Sequence, residues 1–385
     1  MRSARGRAAA IAAVTAAGLA VTAVPAHAEA RGRGSLLSSR PLHTAAALPS
    51  ASVTRSISYV SEGVGGKRIT VTGTVAVPKG KAPRGGWPVI SWAHGTTGNA
   101  DVCAPSRDTA TGPAHDYLSL TEGYLDKWVA HGFAVVQTDY EGMGTPGGHP
   151  YMNGASEANT VLDIVRAARE AAPRIGRDWY VAGHSQGGQA TLYTAAQKAG
   201  DVRLKGAVSI APGSHMAETA QYVQAQYPGA EAALPFLFVL LNGAKAADPS
   251  FHPESLLTDR AAKVLASGRT TACLAQLRDA GSSIPLSQVF RPDADLTRFE
   301  TYFDSQEATG LDLRVPTLVA QGTADTSVSP AATKALVADL CKRYPAIAYR
   351  EYQGADHRAS IGASFDDALN FVQTLQSGRT PTPTC

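Results

Sequence analysis

The chain has 385 residues, 44% of them hydrophobic and 17% charged, a composition that excludes a disordered protein and is typical of a globular enzyme. This length suits one large α/β domain with an insertion, or two domains. The formal net charge is only +3, and it disappears if the three arginines nearest the N-terminus are removed. The charge therefore gives no reason to expect a nucleic-acid partner.

Residues 1–28 have the pattern of a secretory signal peptide. Arginines at positions 2, 5 and 7 precede an apolar run over 8–24, and Ala26-His27-Ala28 supplies a small-x-small cleavage site. We therefore predict cleavage after Ala28 and a secreted mature protein. A transmembrane anchor is the alternative, but the run is short and rich in alanine, so we expect no stable membrane anchor.

The next part of the chain predicts a leader followed by a parallel α/β core. Residues 29–50 are expected to be a flexible leader. Alternating β-branched residues predict a hairpin with strands near 54–62 and 68–77. Short apolar runs, of the kind buried on both faces of a parallel sheet, then alternate with helical segments. These strands are predicted at 88–93, 133–138, 179–182 and 206–210, and the helices at 117–131, 156–171 and 186–199.

The α/β alternation stops over residues 214–312 and then resumes. We predict a mainly helical cap over 214–312, inserted into a core made of 51–213 and 313–385. Such an insertion is expected to cover the edge of the sheet where α/β proteins bind ligands. The elements that complete the core are predicted strands at 315–321 and 347–352 and predicted helices at 330–343 and 364–376.

The most apolar part of the predicted cap is the run Leu234–Leu241. We predict that its residues Phe236, Phe238 and Leu241 line a channel for an acyl chain. The alternative is a plain buried helix of the cap, and the run by itself does not decide between the two.

Gly183-His184-Ser185-Gln186-Gly187 predicts a nucleophilic serine. An apolar strand precedes this G-x-S-x-G pattern and a good helix former follows it, which is the context of a nucleophile elbow. The turn is so tight that the residues flanking the serine must be nearly free of side chains. Ser185 is therefore the predicted nucleophile, and His184 is expected to have a structural role.

A serine nucleophile needs a histidine base and an acid that orients the histidine. In α/β-hydrolases these residues follow in the order serine, acid, histidine, each in a loop after a strand. Asp325 follows the predicted strand 315–321, and His357 follows 347–352. Asp356 is the competing acid, but a residue directly before the histidine usually cannot reach its ring.

The tetrahedral intermediate needs two backbone N–H donors for its oxyanion. The amide of Gln186, directly after the nucleophile, is one predicted donor. Thr96, in the loop after strand 88–93, is the other. His94 in that loop is expected to be structural, since the base is already assigned. The Gly/Pro-rich segment 139–150 is expected to form one wall of the active site. Within it, Asp139 is expected to support the oxyanion loop.

Four cysteines, Cys103, Cys273, Cys341 and Cys385, suit an exported protein with two disulfides. The residues alone leave all three pairings open. No pair of cysteines has metal-ligand spacing, and we predict neither a metal nor a cofactor.

The combined motifs resemble the secretory lipase family of α/β-hydrolases. The matching stretches are Ala93–Gly98, Asp139–Gly147, Gly183–Gly188, Gly322–Asp325 and Asp356-His357. The resemblance implies an α/β-hydrolase fold, with a mostly parallel central sheet flanked by helices and a mainly helical cap insertion. It also implies two disulfides, Cys103–Cys273 and Cys341–Cys385.

The predicted function is a secreted serine carboxylic-ester hydrolase, a lipase or esterase acting on acylglycerols or other acyl esters. A secreted peptidase on the same fold is the first alternative, and it would need acids such as Glu254, Asp259 or Glu300 placed in the cap. A non-catalytic binding protein is the second, but all three triad residues are present. We expect a monomer whose partner is a small-molecule or lipid ester, and contact with a lipid interface is compatible with this class.

Overall fold

The computed structural model describes residues 31–198 and 200–385, so the predicted signal peptide lies outside the described residues. Within these ranges nine strands form one sheet. The strands are β1 (Leu36–Pro41), β2 (Ala51–Glu62), β3 (Arg68–Pro78), β4 (Trp87–Ala93), β5 (Ala134–Thr138), β6 (Ile175–His184), β7 (Arg203–Ile210), β8 (Thr317–Gly322) and β9 (Ile347–Tyr352). The helices are α1 (His115–Ala130), α2 (Gly154–Ala171), α3 (Gln186–Ala196), α4 (Met216–Gln224), α5 (Leu234–Ala247), α6 (Asp259–Thr270), α7 (Leu274–Ser282), α8 (Thr297–Asp304), α9 (Pro330–Arg343), α10 (Ala359–Ala363) and α11 (Phe365–Gln376).

The strand order is β1-β2-β3-β5-β4-β6-β7-β8-β9. The six strands from β4 to β9 pair in parallel, whereas β1, β2 and β3 join the sheet antiparallel. The sheet is therefore mostly parallel, as predicted. Because parallel strands end at the same edge, the loops after β4, β6, β8 and β9 meet there.

Helices cover both faces of the sheet, since successive strand residues point to opposite sides. Val89 and Val181 pack in the core under α2, α3 and α9. Their neighbours Ile90 and Tyr180 pack in the core under α1 and α11. The near-continuous apolar strands seen in the sequence reflect this burial on both faces.

The prediction of a flexible leader over residues 29–50 is wrong for most of this segment. Leu36–Pro41 is strand β1, paired with β2, and the Arg33 guanidinium donates to Asp163 at 3.0 Å. Ser50 donates its backbone N–H to Asp126 at 2.7 Å. An edge strand needs only one paired side and tolerates polar and charged side chains. The Ser-Ser-Arg-Pro sequence of this segment therefore conceals a strand.

Five helices, α4 to α8, lie between β7 and β8 and form the predicted cap. They enclose a separate apolar core that includes Leu237, Phe238, Leu265 and Phe299. By length and hydropathy alone, residues 230–247 of the cap could cross a membrane, but 61% of this stretch is buried inside the protein. That degree of burial is typical of a core helix.

Two disulfides pair the four cysteines. Cys103–Cys273 joins the connection after β4 to the start of α7 in the cap, over a sequence separation of 170 residues. Cys341–Cys385 joins α9 to the C-terminal residue, over 44 residues. Both pairings are those implied by the family resemblance, and the first couples the cap directly to the core.

Candidate active site

Ser185 occupies the tight turn between β6 and α3. Its backbone has φ 60° and ψ −117°, a conformation that is strained for a residue with a side chain. A Cβ atom at Gly183 would overlap the carbonyl of Gly187, and one at Gly187 would overlap the carbonyl of Ala93. The two flanking glycines are therefore required by close backbone approach, as the elbow pattern predicts.

Asp325 and His357 meet at the edge where β8 and β9 end. Asp325 Oδ2 lies 2.7 Å from His357 Nδ1. Since a carboxylate only accepts, Nδ1 carries the proton and donates it, which leaves His357 Nε2 free to act as a base. Asp325 Oδ1 also accepts the backbone N–H groups of Ser327 and Val328, each at 2.8 Å.

The surroundings of Asp325 keep its carboxyl ionised. Burial alone would raise its pKa, but the hydrogen bond and charge of His357 and the two backbone N–H groups outweigh burial and lower the pKa. The competing acid, Asp356, instead accepts the N–H of Ala359 at 2.8 Å, at the start of α10. Asp325 is therefore the acid that contacts the histidine ring.

A cavity of about 230 Å³ opens beside these residues. Ser185 and His357 both line it, and so does Thr96 from the loop after β4. Phe236 and Leu274 reach the cavity from the cap and supply an apolar wall. Nucleophile, base and predicted oxyanion residue therefore face one cleft between the core and the cap.

Of the three residues predicted to line an acyl channel, only Phe236 faces this cavity. Phe238 and Leu241 are completely buried in the apolar core of the cap. That part of the prediction is wrong, and the alternative of a plain buried helix describes these two residues. The physical reason is that α5 is apolar around most of its circumference, so it packs inside the cap and turns only one aromatic ring toward Ser185.

The two predicted oxyanion residues lie at neighbouring strand ends. Gln186 is the first residue of α3, so its backbone N–H has no acceptor within the helix and is free to bind an anion. Thr96 lies in the loop after β4, and its hydroxyl is 2.6 Å from the Tyr151 hydroxyl. The Tyr140 hydroxyl donates to the carbonyl of His94 at 2.9 Å, two residues before Thr96.

Asp139 supports a different segment from the one expected. It accepts hydrogen bonds from the Ser106 backbone N–H at 2.8 Å and from the Thr72 hydroxyl at 2.7 Å. Ser106 lies farther along the connection after β4, so the Asp139 carboxylate holds that part of the connection, whereas the Tyr140 hydroxyl bonds to His94 in the oxyanion loop. His94 is fully buried, and burial lowers its pKa to about 4. A neutral structural role suits it.

Three residues that contact the site escaped the sequence reasoning, Tyr117, Tyr151 and Glu157, whereas a fourth, His149, lies in the segment 139–150 that was expected to form a wall of the site. Tyr117, His149 and Tyr151 hydrogen-bond to the oxyanion residues or their neighbours, and Glu157 bonds to the Gln186 side chain. Tyr117 and Glu157 lie on helices whose rotation decides what they touch. Only the position of the 139–150 segment after a strand gave any signal, and it covered His149 alone.

One group of described residues brings three potential metal ligands together. Asp108, His115 and Glu122 each place one ligand atom within 4.8 Å of the others, near the start of α1. His115 Nδ1 already lies 2.6 Å from the Asp108 carboxylate. The sequence reasoning, which weighed cysteine spacing, did not identify this group.

Comparisons with known proteins agree with this architecture. The family model "Secretory lipase" matches residues 120–383, which is more than half of the chain. The structure is similar to Candida antarctica lipase A, with TM-score 0.79 and 17% identity over 94% of this chain and 86% of that one. It is also similar to ligand-bound LipA, the rice cell wall degrading esterase of Xanthomonas oryzae, with TM-score 0.72 and 17% identity over 91% of this chain and 100% of that one. No curated protein matches the sequence.

At such identities the two solved structures bear on the fold alone, which is the α/β-hydrolase fold. The family match rests on the sequence itself and spans the nucleophile elbow, the cap and the segments that carry Asp325 and His357. The chain therefore belongs to the secretory lipase family and is a carboxylic-ester hydrolase.

Proposed function

We propose that the chain hydrolyses acyl esters through a covalent intermediate on Ser185, with His357 as base and Asp325 as the acid that orients it. The observation that carries this proposal is the 2.7 Å contact between Asp325 and His357 beside a cavity that Ser185 also lines. The strained elbow holds the serine at the end of β6, where a substrate carbonyl in the cavity can reach it.

The first half of the reaction transfers the acyl group to the enzyme. His357 Nε2 takes the proton of the Ser185 hydroxyl while the serine oxygen bonds to the ester carbonyl carbon. The carbonyl electron pair moves onto oxygen, where the backbone amides of Thr96 and Gln186 donate to it. When the C=O bond re-forms, the bond to the alcohol oxygen breaks, and His357 returns the proton to the leaving alcohol.

Water completes the cycle. His357 takes a proton from the water as its oxygen attacks the acyl carbon, and the same two amides stabilise the second oxyanion. Collapse breaks the bond to Ser185, which recovers its proton from His357 and releases the carboxylic acid. Asp325 stays ionised throughout and stabilises the imidazolium, consistent with its lowered pKa.

The size of the cavity favours short acyl chains. Its volume of about 230 Å³ is below the roughly 300–1,000 Å³ typical of sites for drug-sized ligands. The apolar wall from Phe236 and Leu274 suits the first methylene groups of an acyl chain. We expect esters of short chains to be turned over faster than those of long chains.

A peptidase that recognises a free N-terminus is disfavoured by the positions of the cap acids. Glu254 pairs with Arg269 at 2.6 Å and Asp259 pairs with Arg291 at 3.1 Å. Glu300 accepts from Gln221, and none of the three acids is among the residues lining the cavity. No acidic group from the cap is therefore placed to bind a substrate amine near Ser185.

The test combines labelling with a substrate panel. A fluorophosphonate should label the purified protein at Ser185, as mapped by peptide mass, and Ser185→Ala should lose both labelling and esterase activity. Ser214→Ala, a serine at the same sheet edge outside the cavity, is the control and should keep both. Activity that survives in Ser185→Ala, or cleavage of amide analogues as fast as p-nitrophenyl esters from C2 to C16, rejects the proposal.

We further propose that residues 1–28 direct export and are then removed. The family is secretory, and the two disulfides suit an oxidising compartment. N-terminal sequencing of protein recovered from the culture medium should begin at Glu29. A mature protein that retains the arginines at 2, 5 and 7 would overturn this proposal.

A further inference from the structure

Glu157 is a buried carboxylic acid that contacts Gln186, the residue directly after Ser185 in the nucleophile elbow. It lies in the first turn of α2, fully excluded from solvent. Its Oε1 accepts from the Gln186 side-chain amide at 2.7 Å and from the Met152 backbone N–H at 2.9 Å. Its Oε2 has no hydrogen-bond partner within residues 31–198 and 200–385. A buried carboxyl without a cationic partner is costly, so its presence here calls for a function.

The Gln186 side chain is fixed by two acceptors. One N–H of its Nε2 goes to Glu157 Oε1, and Nε2 also lies 2.9 Å from His149 Nε2. His149 Nδ1 is 3.0 Å from the carbonyl of Glu141 and must donate to it, so His149 Nε2 is unprotonated and accepts. Both N–H groups of the Gln186 amide are therefore used, and the side chain has one orientation.

Residues 149–152 also contact Thr96, the other proposed oxyanion residue. His149 bonds to the Gln186 side chain, and the Met152 N–H donates to Glu157. Tyr151, which lies between them in the sequence, bonds to the Thr96 hydroxyl at 2.6 Å. Met152 has φ 62°, a conformation that bends the chain sharply before α2 begins. Residues 149–152 thus contact the side chains of both proposed oxyanion residues.

We propose that Glu157 is a positioning residue, which acts through the Gln186 side chain to fix the backbone N–H that stabilises the oxyanion. The proposal rests on the proposed function, since it assigns Gln186 a role in that reaction. Glu157 is not among the residues that line the cavity. It holds the residue after the nucleophile, so its loss should weaken transition-state binding more than substrate binding.

The surroundings of Glu157 favour its uncharged form. Burial raises the pKa of Glu157 to about 8, and the hydrogen bonds from Gln186 and Met152 offset only part of that rise. The titratable groups facing Glu157 are Tyr140, His149, Tyr151, Tyr193 and Tyr302, with Glu141 beyond them. Burial lowers the pKa of His149 to about 3 and raises the pKa values of these tyrosines, so none of these groups is a cation that could balance an ionised Glu157. Ionisation would place a negative charge behind the amide that must bind an oxyanion.

Three variants test the proposal, assayed with p-nitrophenyl butyrate. Glu157→Gln keeps the Oε1 acceptor without a charge, and should have kcat within about 2-fold of wild type at pH 6.5. Glu157→Leu removes the acceptor, and should lower kcat about 10- to 100-fold with KM changed by less than about 3-fold. Thr121→Val alters a buried hydroxyl on α1 that bonds to the Leu118 carbonyl and not to Glu157, and it is the matched control, with unchanged kcat.

The pH profile separates positioning from a merely structural role. The ratio of kcat for Glu157→Gln to kcat for wild type should stay near one up to about pH 7 and rise above pH 8, where wild-type Glu157 ionises. A ratio that is constant from pH 6 to 9.5 overturns the proposal, whether or not Glu157→Leu folds. A folded Glu157→Leu with wild-type kcat also overturns it.

Ser185→Ala is assayed in parallel. If Ser185→Ala is inactive while the Glu157 variants match wild type at every pH, the positioning proposal fails and the proposed function stands. If Ser185→Ala remains active, the proposed function fails, and with it the premise of this inference.

Discussion

His184 Nε2 lies 2.9 Å from the carbonyl oxygen of His357, and the two rings are 4.4 Å apart. Because a carbonyl only accepts, Nε2 carries the proton, and His184 Nδ1 accepts from the Tyr117 hydroxyl at 3.0 Å. The Tyr117 oxygen in turn accepts the N–H of Gly95 at 2.9 Å. Burial, and then the charge of a protonated His357, lowers the pKa of His184, in keeping with a neutral ring. This chain of hydrogen bonds ties the base loop to the oxyanion loop.

Tyr117→Phe should therefore impair catalysis. The substitution leaves the Gly95 N–H and His184 Nδ1 unpaired in a buried region, at a cost of about 1–3 kcal/mol in the free energy of unfolding. We expect kcat to fall by about 10-fold, because both loops lose a fixed contact. Tyr124→Phe, on the same helix but outside this chain, is the control. Equal kcat and equal urea midpoints for the two variants would show that the Tyr117 hydroxyl is dispensable.

Asp325→Asn and Asp356→Asn should separate the two neighbouring acids. Asn at 325 accepts poorly from His357 Nδ1 and favours the wrong tautomer, so kcat should fall by about 10⁴. Asp356 bonds only to the backbone at the start of α10, so Asp356→Asn should stay within about 5-fold of wild type. Steady-state kinetics at a single pH decide this. A dead Asp356→Asn beside an active Asp325→Asn would reverse the assignment of the acid.

Phe236→Ala should alter the preference for acyl-chain length, whereas Phe238→Ala should lower the stability of the protein. Phe236 lines the cavity, so its truncation should change the ratio of kcat/KM for C10 over C2 esters. Phe238 is fully buried in the cap, and its truncation should cost about 3–5 kcal/mol in the free energy of unfolding with little change in that ratio. Urea melts and the ester panel measure the two effects. The prediction fails if Phe238→Ala shifts chain-length preference in a folded protein.

Removing each of the two disulfides should have a different effect on activity. Replacing Cys103 and Cys273 by serine removes a cross-link of 170 residues, worth up to about 5 kcal/mol in the chain-entropy model. Activity should fall too, because Leu274 next to Cys273 donates its N–H to Thr97, beside the oxyanion residue. Replacing Cys341 and Cys385 should lower the urea midpoint and leave kcat unchanged. Loss of kcat in the second variant would contradict this division.

Stability should depend on pH through Glu157. Burial raises the pKa of Glu157 from an ordinary 4.5 to about 8, so the folded protein keeps a proton that the unfolded chain releases. The free energy of unfolding contributed by this group therefore falls as pH rises between those two values. The Tm of Glu157→Gln minus that of wild type should increase from pH 5 to pH 8 and then level off. Scanning fluorimetry at constant ionic strength measures it, and a constant difference would mean that Glu157 is ionised throughout.

The triad was predictable because its signals are local. Gly183 and Gly187 are required by the tight backbone turn at the serine itself. Asp325 and His357 each follow a recognisable strand. Chain order then assigns their roles without any knowledge of distance. The fold was predictable for the same reason, since alternating apolar strands and helices leave few topologies.

The residues that support the site were not predictable in this way. Tyr117, Tyr151 and Glu157 reach their partners across 22, 55 and 29 residues of sequence. Whether they do so depends on the rotation of a helix or the bend of a loop, which apolar periodicity does not specify to one side chain. Phe238 was misplaced for a related reason, because an almost wholly apolar helix has no polar face to show which side is inside.

The Cys103–Cys273 bond limits how substrate can enter. Cys273 directly precedes α7, whose first residue Leu274 lines the cavity and donates its backbone N–H to the Thr97 carbonyl. This corner of the cap is therefore anchored to the core by a covalent link and a hydrogen bond. While the disulfide is intact, this corner stays attached to the core, so we expect any separation of the cap from the core on the α5 side of the cavity, which Phe236 lines. The entrance for the ester is thus expected beneath Phe236, with α7 as the fixed wall.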